Sequence, residues 1–186
     1  MAKKPQKKKF FNINIPLLKE DHEAYAYTLE ELDGKSLKID MTRKLRGKSL
    51  DMVFKIKVEG DKAVAYPKKL KLLPFFIKHM LRKSISYVED SFHTQTKESD
   101  IIIKPFLITR KTVSRTIRKT LRNSARNWIM DYTKTKNDDE LFEDILNGKM
   151  QKDLSIKLKK IYPLALCEIR ILEIKNILNK PEKKNK

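Results

Sequence analysis

The sequence has a single cysteine, Cys167, in 186 residues. One cysteine cannot form an intrachain disulfide, which excludes a small secreted domain stapled by disulfide bonds. No apolar run approaches the roughly 20 residues that a membrane-spanning helix needs. The N-terminal sequence MAKKPQKKKF is charged, with no apolar stretch of signal-peptide length behind it. We therefore expect a reduced, aqueous, intracellular protein.

Acidic residues are scarce as well, since 24 Asp and Glu face 43 Lys and Arg and give a formal net charge of +19. Three segments contain no acid: residues 1–19 hold six lysines, residues 62–88 seven lysines and arginines, and residues 101–130 eight. Such a charge repels itself in a compact protein and is typical of a polyanion binder, with nucleic acid the first candidate and an anionic membrane the second. A generally lysine-rich proteome is the alternative, but it does not account for the acid-free segments.

Hydrophobic residues make up 40% of the chain, enough to build a core. Alternating patterns predict strands, and spacings of three and four predict helices. The predicted strands are 10–15, 37–41, 50–58, 63–66, 84–92, 101–109 and 165–173, and the predicted helices are 74–83, 113–132, 138–147 and 149–160. Residues 17–33 have no clear pattern.

Most of the predicted strands come early in the chain and most of the predicted helices come late. This order predicts an α+β fold with an antiparallel, β-barrel-like core of about six or seven strands and three or four packed helices. The domain organisation that we expect is a basic disordered arm over residues 1–9, one domain over 10–179 and a basic tail over 180–186.

The helix predicted over residues 113–132 carries the sharpest functional signal. Its cations lie on the side away from Leu121 and Trp128, and no acid stands between them to pair with them. Four of the nine arginines of the chain fall here, and the planar guanidinium matches a phosphate with two hydrogen bonds. An ordinary solvated helix face and a membrane-surface helix are the alternatives. The leading candidates for contact with an RNA backbone are Arg115, Arg118, Arg122 and Arg126.

We expect the other basic segments to contribute to the same surface and the N-terminal lysines to wrap the polyanion. Phe10 and Phe11, beside those lysines, are candidates for stacking on a base, although core packing is the commoner role of an aromatic residue. The full predicted RNA-binding set is Lys3, Lys4, Lys7, Lys8, Lys9, Lys68, Lys69, Lys71, Lys78, Arg82, Lys83, Arg110, Lys111, Arg115, Arg118, Lys119, Arg122 and Arg126.

Signals for catalysis are weak. The three histidines, His22, His79 and His93, lack metal-ligand spacing, and Cys167 stands in an apolar strand as a small core residue. The acids between residues 138 and 144 lack the spacing and the central glycine of an EF-hand loop. No P-loop, GxGxxG or GxSxG motif occurs. We therefore predict no enzyme, no cofactor, no metal and no small-molecule substrate.

Several motifs, in order along the chain, resemble one ribosomal protein family. Arg115–Ile129 (RTIRKTLRNSARNWI) is similar to the basic helix of that family. Phe142–Leu164 is similar to a family segment that runs through a GK step and a short helix to the sequence IYPL. Asp33–Met41 is similar to its first barrel strand and Lys8–Pro16 to its lysine-plus-aromatic entry. On these motifs the sequence resembles the archaeal and eukaryotic small-subunit ribosomal protein family S-three-A-e (also called S-one-e).

Two departures from the family pattern stand out. Leu73-Pro74-Phe75 replaces a common Thr-Arg-Asp start, and after IYPL the basic residues of the family are reduced to Arg170. The absence of the long acidic tail of many eukaryotic members indicates an archaeal-type protein.

The resemblance implies a β-barrel core with packed helices on the platform of the small ribosomal subunit, near the 3′ end of the rRNA and the mRNA exit. The implied partners are small-subunit rRNA, neighbouring platform proteins and mRNA near the exit, in the cytoplasm, with no membrane and no catalysis. The alternatives are a free RNA-binding translational regulator and an enzyme that acts on RNA.

Overall fold

Nine strands form one sheet in the computed structural model, which describes residues 7–45, 47–60 and 62–177. The strands are β1 (Lys9–Ile15), β2 (Glu20–Ala26), β3 (Ser36–Asp40), β4 (Leu50–Glu59), β5 (Lys62–Leu72), β6 (Tyr87–Glu89), β7 (Phe92–Gln95), β8 (Ser99–Thr109) and β9 (Leu164–Ile177). The helices are α1 (Pro74–Met80), α2 (Arg115–Lys134), α3 (Asp138–Leu146) and α4 (Lys149–Lys159), with a short 3₁₀ turn over Glu30–Leu32.

The predicted α+β class is confirmed, but the sheet is not closed into a barrel. Its strand order is β2-β1-β5-β9-β8-β6, with β4 and β3 on the other edge of β5 and β7 beside β6 on β8. All described pairs are antiparallel except the short contact of Ile13 and Asn14 in β1 with Ala63 and Val64 in β5. The strand β1 begins at Lys9, the last residue of the predicted arm, and the first six residues of that arm lie outside the described residues. The predicted tail over 180–186 lies outside the described residues.

The count of nine strands, rather than six or seven, has two local causes. The segment without a clear pattern contains β2, which pairs with β1 through its full length. The strand predicted over residues 84–92 is divided into β6 and β7 by a two-residue interruption of the pairing, at Asp90 and Ser91, where Asp90 Oδ1 accepts a hydrogen bond from the Ser91 amide at 2.9 Å. Both short strands then pair with β8.

The long helix α2 covers β6, β7 and α4. It begins two residues later than predicted because Ser114 is its N-cap, with the Ile117 amide 3.4 Å from the Ser114 hydroxyl. Its buried stripe consists of Leu121, Ala125, Ile129 and Thr133. Trp128 and Tyr132, which the helical pattern placed in the core face, are half-buried beside this stripe and stack at a ring distance of 4.9 Å.

Substitution of Phe106 tests whether the centre of the sheet carries the stability of the fold. Phe106 lies in β8 with 0% exposure, whereas Phe75 in α1 is 60% exposed. We expect Phe106→Ala to lower the free energy of unfolding by about 3–5 kcal/mol. Phe75→Ala should change it by no more than about 0.5 kcal/mol. Urea denaturation followed by circular dichroism measures both values, and equal effects of the two substitutions would contradict this account of the core.

One carboxylate, Asp144, joins the end of α2 to α3 and α4. The Tyr132 hydroxyl donates to Asp144 Oδ2 at 2.7 Å, and Lys136 Nζ lies 3.2 Å from the same oxygen. Lys149 Nζ lies 3.7 Å from Oδ1. Burial raises the pKa of Asp144, but the hydrogen bonds from Tyr132 and Lys136 and the charges of Lys136 and Lys149 together outweigh burial and hold the pKa below its ordinary value.

A carboxylate with a lowered folded-state pKa stabilises the protein above its unfolded-state pKa, and this contribution is lost as the pH falls through the folded-state value. We expect the wild-type free energy of unfolding to fall between about pH 5 and pH 2. Asp144→Asn should be less stable at neutral pH and should lose less over that interval. Urea titrations at several pH values measure this, with Asp21→Asn, which removes an exposed carboxylate from β2, as the control. An unchanged pH dependence in Asp144→Asn would contradict the assignment.

Candidate nucleic-acid interface

A groove of about 610 Å³ lies where α2 passes the interruption between β6 and β7 and the middle of β8 and β9. Four cations line it, one from β8, two from α2 and one from β9, together with two acids, Glu89 at the end of β6 and Asp90 directly after it. We call this site the basic groove and define it by Lys104, Arg122, Arg126, Arg170, Glu89 and Asp90.

A β-bulge places Arg170 in the basic groove. Lys104 pairs with Ile171 but the next residue, Pro105, pairs with Ile169, so the register skips Arg170. Proline has no N–H to donate to the neighbouring strand, which favours such an interruption, and a bulge redirects the side chain of the extra residue. Burial along β9 changes phase at the same point, because Ile169 and Leu172 are both buried although they are three positions apart, an odd spacing that would put them on opposite faces of a regular strand.

The Asp90 carboxylate fixes the guanidinium of Arg126. Arg126 Nε donates to Asp90 Oδ2 at 2.9 Å and Arg126 NH2 donates to Oδ1 at 2.7 Å, which is the two-bond geometry of a strong arginine–carboxylate pair. The hydrogen bonds and the charge of Asp90 raise the pKa of Arg126 above its ordinary value. The same guanidinium lies 5.5 Å from the centre of the Phe92 ring. These contacts orient Arg126 before any ligand binds.

Glu89 orients the other two arginines of the basic groove. Arg122 Nε donates to the Glu89 backbone carbonyl at 3.2 Å, and Arg170 NH1 donates to Glu89 Oε1 at 3.1 Å. A guanidinium has five N–H donors, so one such bond leaves most of them available to a ligand. Four cations against two acids give the groove a net charge of +2, which suits a phosphate group.

The expectation that the cations of α2 have no acids to pair with them is wrong for Arg126, because Asp90 approaches from outside the helix. Arg118 is half-buried, and in the described part of the chain its Nε has no hydrogen-bond partner. The predicted residues that remain exposed around and beyond the helix are Lys71, Lys78, Arg82, Lys83, Arg110, Lys111, Arg115 and Lys119.

Two predicted lysines of β5 lie elsewhere. Lys69 Nζ is 3.0 Å from Glu173 on β9, so its charge is already paired. Lys68 is skipped by the register of β4 and β5, next to Pro67, and lines a separate cavity of about 350 Å³ that also contains Asp138 and Asp139. The structure therefore does not bring Lys68 and Lys69 into the basic groove.

The N-terminal lysines lie near β1 and β2 at one end of the strand order, whereas the basic groove lies near β8 and β9 towards the other end. Lys7, Lys8 and Lys9 are exposed beside β2, which pairs with β1 at the edge of the sheet. Lys3 and Lys4 lie outside the described residues.

Sequence reasoning missed Lys104 and Arg170 as parts of the site, as well as the two acids that orient the arginines. Lys104 stands in an acid-free segment and is followed by a proline inside a strand pattern, which is a signal for a bulge. No local signal marks Arg170, because its role depends on the register between β8 and β9.

Groups associated with catalysis are not arranged for it in the described residues. Burial raises the pKa of the Cys167 thiol to about 12, which keeps it protonated and unreactive at neutral pH. No group of three or more His, Cys, Asp or Glu side chains within residues 7–45, 47–60 and 62–177 is placed to hold a metal ion. None of the helices in this part of the chain is long and apolar enough to cross a membrane.

Comparison with known proteins identifies the family. The model of the Ribosomal S3Ae family matches residues 2–177. The protein named small ribosomal subunit protein eS1 of Nanoarchaeum equitans is 28% identical over 173 residues, which cover 89% of this chain and 87% of that protein. Its namesake in Methanobrevibacter smithii is 24% identical over 173 residues, covering 88% and 89% of the two chains.

A third protein of that name, from Methanothermobacter thermautotrophicus, is 28% identical over 102 residues, about half of each chain (53% and 52%). The family match spans all the described elements, from β1 to β9. The motifs that suggested the family in the sequence fall in these same elements. The chain therefore belongs to the Ribosomal S3Ae family.

Proposed function

We propose that this protein is a structural component of the small ribosomal subunit and that it binds folded rRNA on the platform, near the rRNA 3′ end and the mRNA exit. The observation that carries the proposal is the basic groove, a set of pre-oriented arginines in a member of a ribosomal protein family. The position on the platform follows the family resemblance. Neighbouring small-subunit proteins and mRNA near the exit are the further partners that we propose, in the cytoplasm.

The groove suits a phosphate because three of its four cations are arginines, whose planar guanidinium groups can bind a phosphate with two hydrogen bonds. Each guanidinium is held by Glu89 or Asp90 on one side, so less side-chain entropy is lost when its free N–H groups bind a phosphate. Such contacts read the position of the backbone and not its base sequence.

The affinity of this binding comes mainly from released counterions. Each rRNA phosphate that a lysine or arginine neutralises sets free condensed cations, which makes the affinity steeply dependent on salt. The exposed cations near the start of α2, such as Arg115 and Lys119, extend the contact beyond the groove. Double-stranded RNA presents its backbone in a fixed A-form shape, which a rigid row of arginines recognises. The chemistry requires no catalytic group.

The test combines a groove variant, Arg122→Gln with Arg170→Gln, and a matched control, Lys157→Gln with Lys159→Gln. Each variant removes two positive charges, and Lys157 and Lys159 are exposed on α4 outside the groove. Binding to purified small-subunit rRNA is measured over a range of salt concentrations. We expect the groove variant to reduce the slope of log K against log salt by about two, one for each lost phosphate contact. The control should keep a slope near that of the wild type.

Sedimentation of native lysates through sucrose gradients tests incorporation into the subunit. We expect the wild-type protein and the control variant to remain in the small-subunit peak after a salt wash, and the groove variant to be released at lower salt. Wild-type protein at the top of the gradient would contradict a ribosomal role and favour a free translational regulator. Equal salt resistance of the groove variant and the wild type would contradict the groove as a contact site.

A further inference from the structure

Three aromatic side chains are exposed together at the edge of the sheet formed by β1 and β2. Phe10 is 68% exposed, Tyr25 56% and Tyr27 47%. Phe10 and Tyr25 are direct partners in the strand register, and their ring centres lie 4.9 Å apart with a tilt of 41°. Large aromatic side chains grouped at a surface indicate a binding site more often than isolated exposed residues do.

The alternation of β1 explains why these rings face solvent. Ile13 and Ile15 are buried, and Phe11 on the same face packs against the core, so Phe10 lies on the opposite face. Core packing therefore accounts for Phe11 but not for Phe10. The two adjacent phenylalanines have different roles, and only Phe10 is available to a ligand.

A lysine lies over the aromatic rings. Lys8 Nζ is 5.6 Å from the centre of the Tyr25 ring and 5.1 Å from that of Tyr27, within the distance of a cation–π contact. Lys7 and Lys9 are exposed next to it. This places positive charge beside flat, exposed rings, which is the combination that binds single-stranded nucleic acid.

The acids near the rings do not cancel this charge. Glu31 accepts a hydrogen bond from the Tyr27 amide at 3.0 Å and is paired with Lys35 at 2.7 Å, so its charge is already balanced. Glu23 is exposed on β2 and pairs with Asn12. This pair lies two positions along the hairpin from the pair of Phe10 with Tyr25, on the side away from Lys8. At this end of the hairpin, Lys7, Lys8 and Lys9 thus stand against the exposed carboxylates of Glu23 on β2 and Glu30 in the 3₁₀ turn, which leaves an excess of positive charge.

We propose that Phe10 and Tyr25 form a stacking platform for unpaired nucleobases of single-stranded RNA, with Lys8 contacting the flanking phosphate. The proposal rests on the proposed function in that the ligand is RNA, but its residues are distinct from those of the basic groove. It assigns the protein a second mode of binding, in which bases are recognised by stacking and not through the phosphate backbone of folded RNA.

The test uses the full chain and two fluorescently labelled probes, a short oligoadenylate and an abasic oligonucleotide of the same length and charge. We expect the wild type to bind the oligoadenylate about tenfold more tightly than the abasic probe, because stacking needs the bases. Phe10→Ala with Tyr25→Ala should bind both probes with the low affinity of the abasic one. A 2-aminopurine in the oligoadenylate should change its fluorescence on binding to the wild type and not on binding to this double variant.

Two further variants serve as controls. Phe75→Ala removes a phenylalanine of similar exposure, 60%, from α1 and should keep the preference for bases. Tyr25→Phe retains the ring and should also keep it. Lys8→Gln should weaken binding of both probes by the same factor, since it removes a phosphate contact.

Equal affinity of the wild type for the two probes would overturn the proposal and leave the rings to a protein partner. Failure of the wild type to bind either probe, or an unchanged preference in the double alanine variant, would overturn it as well. These outcomes are independent of the basic groove, which is tested on folded rRNA with Arg122→Gln and Arg170→Gln. The failure of one proposal is therefore distinguishable from the failure of the other.

Discussion

The pairing of β8 with β9 is the contact on which the rest of the structure depends. These two strands pair along nearly their whole length, from Ser99 with Ile177 to Thr109 with Leu164. The outer edge of β9 binds β5 and through it the N-terminal strands, while the outer edge of β8 binds β6 and β7. The helices α2 and α4 pack over the same region. A break in this ladder would separate the two halves of the sheet.

The interruptions of this ladder are as informative as its continuity. The register skips Ala165, Arg170 and Lys175 on β9, and Lys68 on β5. Three of these four extra residues are cations, and two of the bulges stand beside Pro67 or Pro105. A bulge leaves the extra residue without a regular partner and turns its side chain, so a strand that is otherwise apolar can present a charge at its surface. Arg170 reaches the basic groove by this means.

The positive charge of the protein is organised by a small number of acids. Asp90 and Glu89 neutralise part of the charge of the basic groove, and in return they fix the directions of its arginines. Asp144 has a different role, because it joins Tyr132 of α2, Lys136 just after α2 and Lys149 of α4, and stabilises the helical layer. The acids near the arginines therefore do not argue against a phosphate ligand, since rigid placement of a guanidinium lowers the entropy that binding costs.

The sequence by itself determined the α+β class, the hairpin of β4 and β5, the helix α2 and the excess of positive charge, because alternation, helical spacing, caps and composition are local properties. It also contained the motifs that indicate the family. Only the tertiary structure decided which cations share a site, because Glu89 and Arg170 are 81 positions apart and meet through strand register. In the same way, the position of Phe10 outside the core depends on which face of β1 the sheet buries. A shift of one residue in register would separate Arg170 from Glu89 and would turn Phe10 to the buried face of the sheet. No local pattern fixes a register across distant strands.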